Sequence, residues 1–396
     1  MREGVTGVLL LPLTFPPDVG GVETHLGDLV RAIQRRDGLR AYVCAFKPIV
    51  TAVRNYRRRE TDGNVEIRRF WWFGGSFGGN LFRRLEPYPA LLFLYITPYF
   101  FARALWFMLW HRQRIDVIHV HGLNMAFTGL CLGWLFRKPV IMQTHALYGF
   151  RADSGFSRVA RAVFRGASAI FSLGSASRDE LVALGVPAER VTVYRYWIDL
   201  ERFGSGDKAA AKQTLGWPAT FTVLFVARLM DIKGTRVVCK LAERFPQLRF
   251  VVAGDGPDKP AVLDAARRLP NLHYAGLVQN TDLPAFYRAA DLTLVPSLYP
   301  EGFGRVICES LACGTPVAAS RVGGIPDAMD ETVGTLCAPD EESFAQALRQ
   351  MVEDRDRYAR CQQNARAYAE RRFSDANAEV IFAAYERSRR SRRAAV

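Results

Sequence analysis

The sequence predicts an α/β chain built as two doubly wound domains, and three observations predict it. The 396 residues exceed one ordinary domain and suit two or three. Apolar strand-like runs alternate with runs of helical period, the pattern of parallel sheets covered on both faces. That rhythm stops at Gly204-Ser205-Gly206-Asp207 and then restarts. With 49% hydrophobic and 23% charged residues, the chain can bury large cores, which excludes global disorder.

Taken in order, residues 5–13 read as the first strand, interrupted by prolines, with no signal-peptide cleavage pattern. Gly20-Gly21 follows in a loop, and residues 22–36 carry helical apolar spacing at Val22, Leu26, Leu29, Val30 and Ile33. Further strands are predicted at 40–46, 116–120, 138–143 and 169–173, with helices at 125–136 and 177–184. The second series opens with a helix from 208, then a strand at 222–226 and a helix at 234–244. Strands follow at 248–253, ending in Gly254-Asp255-Gly256-Pro257, and at 272–275, 292–295 and 316–319. The first domain is assigned to residues 1–200 and the second to 201–375. Each is expected to bind ligand at the carboxyl ends of its strands.

Charge and cysteine content narrow the class. Lys plus Arg number 53 against 39 Asp plus Glu, a net charge of +14, which calls for an anionic partner. Phosphorylated small molecules and an acidic membrane surface fit. Nucleic acid ranks third, because no recognised nucleic-acid motif is present. The seven cysteines are scattered, with no C-x-x-C pair and no zinc spacing, which reads as free thiols in a reducing, cytoplasmic setting. Asp354-Arg355-Asp356 comes nearest to an Asp-x-Asp metal motif, but it sits in a charge-rich helical run. No metal and no cofactor are expected.

The chemistry concentrates at Pro300-Glu301-Gly302-Phe303-Gly304-Arg305-Val306-Ile307-Cys308-Glu309. Glycines there allow close backbone approach, and the start of the following helix favours an anion such as a diphosphate. Glu301 and Glu309 are suited to accept hydrogen bonds from vicinal hydroxyls of a sugar and a ribose. Upstream, Arg228 and Lys233 lie at the carboxyl end of the 222–226 strand, where two cations match a diphosphate. Read as structure alone, these residues are a solvated loop glutamate, a capping glutamate and surface cations. The two clusters together outweigh that reading.

Together these motifs resemble the retaining glycosyltransferases of GT-B fold, family 4, and the resemblance runs from end to end. The glutamate–seven residues–glutamate motif corresponds to Glu301 and Glu309, and the arginine and lysine after the first strand of the second domain to Arg228 and Lys233. Gly20-Gly21-Val22-Glu23 resembles the family's glycine loop. Asp116-Val117-Ile118-His119-Val120-His121-Gly122 resembles its strand-end histidine motif, with His121 in the active-site position. The resemblance implies two Rossmann-like domains facing a central cleft. It implies an acceptor-side N-terminal domain, completed by a C-terminal helix at 376–396, and a donor-binding second domain. It also implies a nucleotide-diphosphate sugar as donor, held by Gly20, Gly21, Arg228, Lys233, Phe303, Gly304 and Glu309, with His121 and Glu301 catalytic. His145, just after a strand, is a weaker acceptor-side candidate. The chain departs from the family at Arg195-Tyr196-Trp197, where many members read proline-asparagine-glycine.

One stretch bears on location. Residues 87–110 contain a single charge, Arg103, among Leu, Phe, Tyr and Trp, and arginines at 54, 57–59, 68, 69, 83 and 84 precede it. The uncharged part, 87–102, is shorter than the ~20 apolar residues a spanning helix needs, and Pro98 interrupts it. The stretch is therefore a helix docked on an anionic bilayer or a core helix. The expectation is a peripheral protein on the cytoplasmic face of a membrane, acting on a lipid-linked or membrane-borne glycan. The rivals are a nucleotide-sugar epimerase or phosphorylase-like enzyme, and a non-catalytic subunit that binds nucleotide or membrane.

Overall fold

The computed structural model describes residues 5–18, 20–48, 56–71, 81–85, 88–151 and 154–394. It separates into two compact units, Met1–Tyr194 with Asn377–Val396, and Arg195–Ala376. The sequence reading placed the junction at 200/201. The units part at 194/195 because the following residues pack into the second one: Ile198 N–H donates to Phe373 O at 3.0 Å, and the Tyr196 ring meets Phe303 edge-on at 5.7 Å.

Unit 1 carries β1 (Thr6–Pro12), β2 (Leu39–Phe46), β3 (Arg59–Asp62), β4 (Val65–Phe70), β5 (Val117–His121), β6 (Val140–Gln143), β7 (Ala169–Leu173) and β8 (Val191–Tyr194). They form one sheet in the order β3-β4-β2-β1-β5-β6-β7-β8. Every pairing is parallel except β3 with β4. The central strands are near-continuous apolar runs because helices cover both faces. β3, β4 and β8 were not predicted. β3 and β4 hide behind charge: Arg69 is buried, pairs with Glu60 and donates to Arg57 O and Pro16 O, while Arg59 and Arg68 both reach Glu66. These arginines, read from sequence as part of a membrane-facing cluster, are thus tied into the sheet edge. Arg54 lies outside the described residues, as does the Arg83 side chain.

The helix Pro89–His111 runs for 23 residues with Pro98 inside it, covering nearly the whole apolar stretch read at 87–110. It is long and apolar enough to cross a membrane by length and composition. Yet Ile96, Phe100, Ala104 and Met108, one turn apart, are fully buried in the core of unit 1. The C-terminal helix Glu379–Ala394 belongs to this unit, held by the Arg36–Glu379 ion pair and by Arg389, which donates to Thr6 Oγ1 at 2.9 Å.

Unit 2 carries β9 (Thr222–Val226), β10 (Arg249–Ala253), β11 (Leu272–Gly276), β12 (Leu292–Val295), β13 (Val317–Ser320) and β14 (Gly334–Cys337), all parallel, in the order β11-β10-β9-β12-β13-β14. β14, four residues long, was not predicted. Strand order reverses at β9/β12 here and at β1/β5 in unit 1. The crevice beyond the carboxyl ends at such a reversal is where doubly wound sheets take ligands. All seven cysteines are free.

Candidate active site

In unit 2 the carboxyl ends of β9 and β12 lead into two loops that are tied together through their backbones. After β9, residues Asp231–Lys233 make one 3-10 turn closed by Gly234. Gly234 has φ 77°, and a Cβ there would lie 2.0 Å from Pro296 O, so only glycine permits this approach. Next to it, Leu298 N–H donates to Ile232 O at 2.9 Å. The result brings Lys233 Nζ to 3.0 Å from Glu301 Oε2, while the Ser297 hydroxyl donates to Glu301 Oε1. Residues that are 68 apart in the sequence (233 and 301) therefore form one cation–carboxylate pair, partly open to solvent. Arg228, on the loop leaving β9, is exposed, with its guanidinium unpaired among the described residues.

The loop bearing Glu301 is braced from behind. Gly324 N–H donates to Glu301 O at 2.7 Å, which docks the loop after β13 against it. Gly304, at φ 93°, is the residue before the helix Arg305–Ala312, whose first N–H groups face the loop side. Phe303 had been expected to contact the donor. It is 1% exposed, wedged edge-on against Tyr196 and Phe373, so its side chain anchors the loop and only its backbone is offered to a ligand. The unusual Tyr196 is part of that anchor.

Glu309 is also placed differently from the sequence reading. It is 4% exposed: Arg305 Nε donates to Oε1 at 2.8 Å and the Tyr287 hydroxyl to Oε2 at 3.0 Å. Burial, and then the Glu309 carboxylate, push the Tyr287 phenol well above its ordinary range, so it stays a hydrogen-bond donor. The partners that orient both Glu309 oxygens thus come from the protein itself.

In unit 1 the carboxyl ends of β1, β5 and β6 gather histidines. His121 ends β5 opposite Pro12, and its Nδ1 lies 3.3 Å from His145 Nε2. His119, two residues back on the same face of β5, has its ring 4.1 Å from that of His121, and its Nδ1 meets the Tyr385 hydroxyl at 2.6 Å. His25, from the helix Gly21–Gln34, lies 2.9 Å from Gln143 Nε2, its ring 5.7 Å from that of His145. Burial, followed by the neighbouring imidazoles, holds His121 well below its usual value, and burial brings His145 down to about 3. These rings are neutral at pH 7 and act as hydrogen-bonding groups rather than as cations. Gly20 and Gly21 begin the helix that carries His25. Thr24 Oγ1 donates to Gly20 O at 2.8 Å, and Glu23 is buried against the Thr14 hydroxyl.

Two family models match this chain: a glycosyl transferase 4-like domain over residues 20–197, and glycosyl transferases group 1 over 207–368. The chain belongs to the group 1 glycosyltransferases. The D-inositol 3-phosphate glycosyltransferase 2 of Catenulispora acidiphila is 38% identical over 229 residues, 53% of each chain. The glycogen synthase of Mycobacterium tuberculosis is 29% identical over 286 residues, 68% of this chain and 67% of that one. The chain spans about half the length of the first of these relatives. Among solved structures, the sucrose-phosphate synthase of Thermosynechococcus elongatus superposes with a TM-score of 0.79 at 21% identity, over 96% of this chain and 98% of that one. Anabaena HepE in complex with UDP gives 0.74 at 23%, over 97% and 100%. At these identities the likeness shows the fold, the GT-B architecture expected from the motifs.

In this group 1 glycosyltransferase the structure thus unites Lys233 with Glu301 and His121 with His145, and turns Phe303 and Glu309 inward. Sequence reading missed Ser297, which holds Glu301, along with His25 and Tyr287. The alternation of β5, which puts His119 beside His121, was the one readable signal for a larger histidine group.

Proposed function

We propose that the chain transfers a sugar from a nucleotide-diphosphate donor to an acceptor hydroxyl with retention of configuration. The Lys233–Glu301 pair at the β9/β12 reversal carries this reading. A donor diphosphate competes for the Lys233 ammonium and draws in the free Arg228 guanidinium, both as charge-assisted contacts. Glu301, relieved of part of its partner, then accepts from hydroxyls of the sugar, and Ser297 keeps it oriented. The helix beginning after Gly304 adds backbone donors for the departing charge. In unit 1, neutral His121 offers a hydrogen bond without competing for phosphate. Retention is supported by the family 4 resemblance. The bond from C1 to the diphosphate oxygen breaks, the acceptor oxygen bonds C1 on the same face, and its proton passes to the leaving phosphate.

We further assign a membrane-borne glycan acceptor and a peripheral position on the cytoplasmic face of a membrane. The outward aromatic residues of the helix Pro89–His111 support this. Acceptor-dependent release of free nucleotide diphosphate from a panel of UDP-, GDP- and ADP-sugars tests the reaction. The same assay with EDTA tests metal independence: turnover is expected to continue, because Arg228, Lys233 and the helix start supply the positive charge. Loss of turnover with rescue by Mg²⁺ or Mn²⁺ refutes that part.

A further inference from the structure

Three helices of unit 1 lie side by side: Pro89–His111, Ala126–Phe136 and Gly155–Arg165. The middle one is apolar on every side. Its inner face packs Gly129 and Gly133 directly onto Val120 and Val140 of the sheet. Its outer face carries Phe127 and Trp134, and Trp134 is 81% exposed. A helix that is apolar all round is buried or meets lipid, and the outer half of this one is not buried. Its neighbours continue the surface. Trp110, 72% exposed, and Trp106 come from one side, and Phe156 and Val159 from the other.

Charge singles out one kind of partner. Between residues 88 and 166 there are nine Lys or Arg and only two acids, Asp116 and Asp153. Asp116 accepts from Gly7 N–H at the sheet, and Asp153 lies outside the described residues. Where the middle helix ends, a cavity of about 640 Å³ opens, lined among others by Trp134, Arg137, Ser168 and Arg387, with no acidic residue in its wall. That volume suits a small polar ligand. Lys138 Nζ is committed to the carbonyls of Arg112 and Ile115, whereas Arg137 and Arg387 are exposed. Arg137, at φ 51°, is the one non-glycine in the left-handed region among the described residues. Glycine or asparagine is the unstrained choice at such a helix end, so an arginine there calls for a use of its side chain.

We infer that this three-helix face docks on an anionic bilayer and that the cavity at the Trp134–Arg387 end receives the phosphate of a lipid headgroup. The inference rests on the peripheral-membrane reading and names its surface and its lipid chemistry. Tryptophan at the interface and arginine at the phosphates are the side chains a bilayer surface favours.

The full chain is sedimented with vesicles of phosphatidylcholine alone or mixed with phosphatidylglycerol. Arg137→Asn keeps the left-handed backbone, and together with Arg387→Gln it is expected to weaken binding to mixed vesicles about 30-fold, roughly fivefold per arginine. Binding to neutral vesicles is expected to stay weak and unchanged. Trp134→Ser is expected to weaken binding to both vesicle types. Donor hydrolysis without acceptor and the melting temperature are expected to stay as in wild type for all three substitutions. If wild type ignores mixed vesicles at low salt, the membrane reading falls along with the face. If wild type binds and the double variant binds equally well, the cavity assignment alone falls. Inorganic phosphate at constant ionic strength is expected not to displace the bound protein. Displacement by it makes the cavity a site for a soluble phosphate and overturns the lipid assignment.

Discussion

Replacing Lys233 with alanine is expected to separate recognition of the diphosphate from recognition of the nucleoside. The ammonium lies 3.0 Å from Glu301, and the two side chains are 29% and 15% exposed. Solvent therefore screens the site only in part. At an effective dielectric near 20, unit charges about 4 Å apart attract by about 4 kcal/mol before desolvation is subtracted. The net value of a hydrogen bond to a charged group is about 1.5–3 kcal/mol. Lys233 keeps some exposure and shares its charge with Glu301, so the lower half of that range applies. A loss of about 2 kcal/mol means roughly 30-fold weaker binding of the nucleoside diphosphate. The bare nucleoside, which presents no phosphate, is expected to keep its affinity within about twofold, well under the 1.4 kcal/mol that a tenfold change requires. Titration calorimetry with UDP, GDP and ADP and their nucleosides reads both values. Lys233→Arg serves as the companion: it restores charge but not the point-like ammonium, and is expected to recover part of the diphosphate affinity. Equal losses for nucleoside and diphosphate in Lys233→Ala refute a phosphate role and leave Lys233 as a brace for the Glu301 loop.

Glu309→Gln is expected to cost stability before it costs chemistry. It removes the charge from one member of the buried Arg305–Glu309 pair, a change of up to about 3–5 kcal/mol that thermal melting detects, and an unchanged melting temperature refutes the buried-pair account. Stability is also expected to fall on acidification from about pH 6.5. Burial holds His119 down to about 3 and His121 well below its usual value, so below pH 6.5 the unfolded chain takes up protons that the folded chain refuses. Each such imidazole removes up to about 1.4 kcal/mol per pH unit from there toward its folded value, and nothing above pH 6.5. Denaturant melts at pH 7.5, 6.0 and 5.0 read the slope, and replacing His119 with Asn is expected to flatten it. A flat profile in wild type would show that these rings are solvated and protonate freely.

Much of the architecture was legible because buried parallel strands are short apolar runs, and β1, β5, β9, β10 and β12 read that way. The β3–β4 hairpin was not, because an edge pair alternates charge with apolar residues and resembles a solvated basic cluster. β8 and β14 are edge strands, half-exposed and broken by Thr192 and by Gly334-Thr335, so neither shows the apolar run that marks the equally short β12. At the site, the glutamate pair and the two cations could be read because each motif is contiguous. Which way their side chains turn depends on residues far off in the sequence. Tyr287 and Arg305 draw Glu309 inward, and Tyr196 and Phe373 hold Phe303. His25 joins the histidines only because its helix, packed on β2 and β4, carries it to Gln143 at the end of β6, and no local signal records that.

The backbone tie between the turn after β9 and the loop after β12 has a consequence for how such a protein can change. Neither segment has a shape of its own to vary. A longer side chain at 234, or an inserted residue between 296 and 298, displaces the partner segment as well as its own. If these segments hold the donor as proposed, exchanging one of them alone is expected to disturb the other before it changes donor preference. The two have to be moved as a single cassette in engineering, while the more loosely held Arg228 remains the position where substitutions can be tried one at a time.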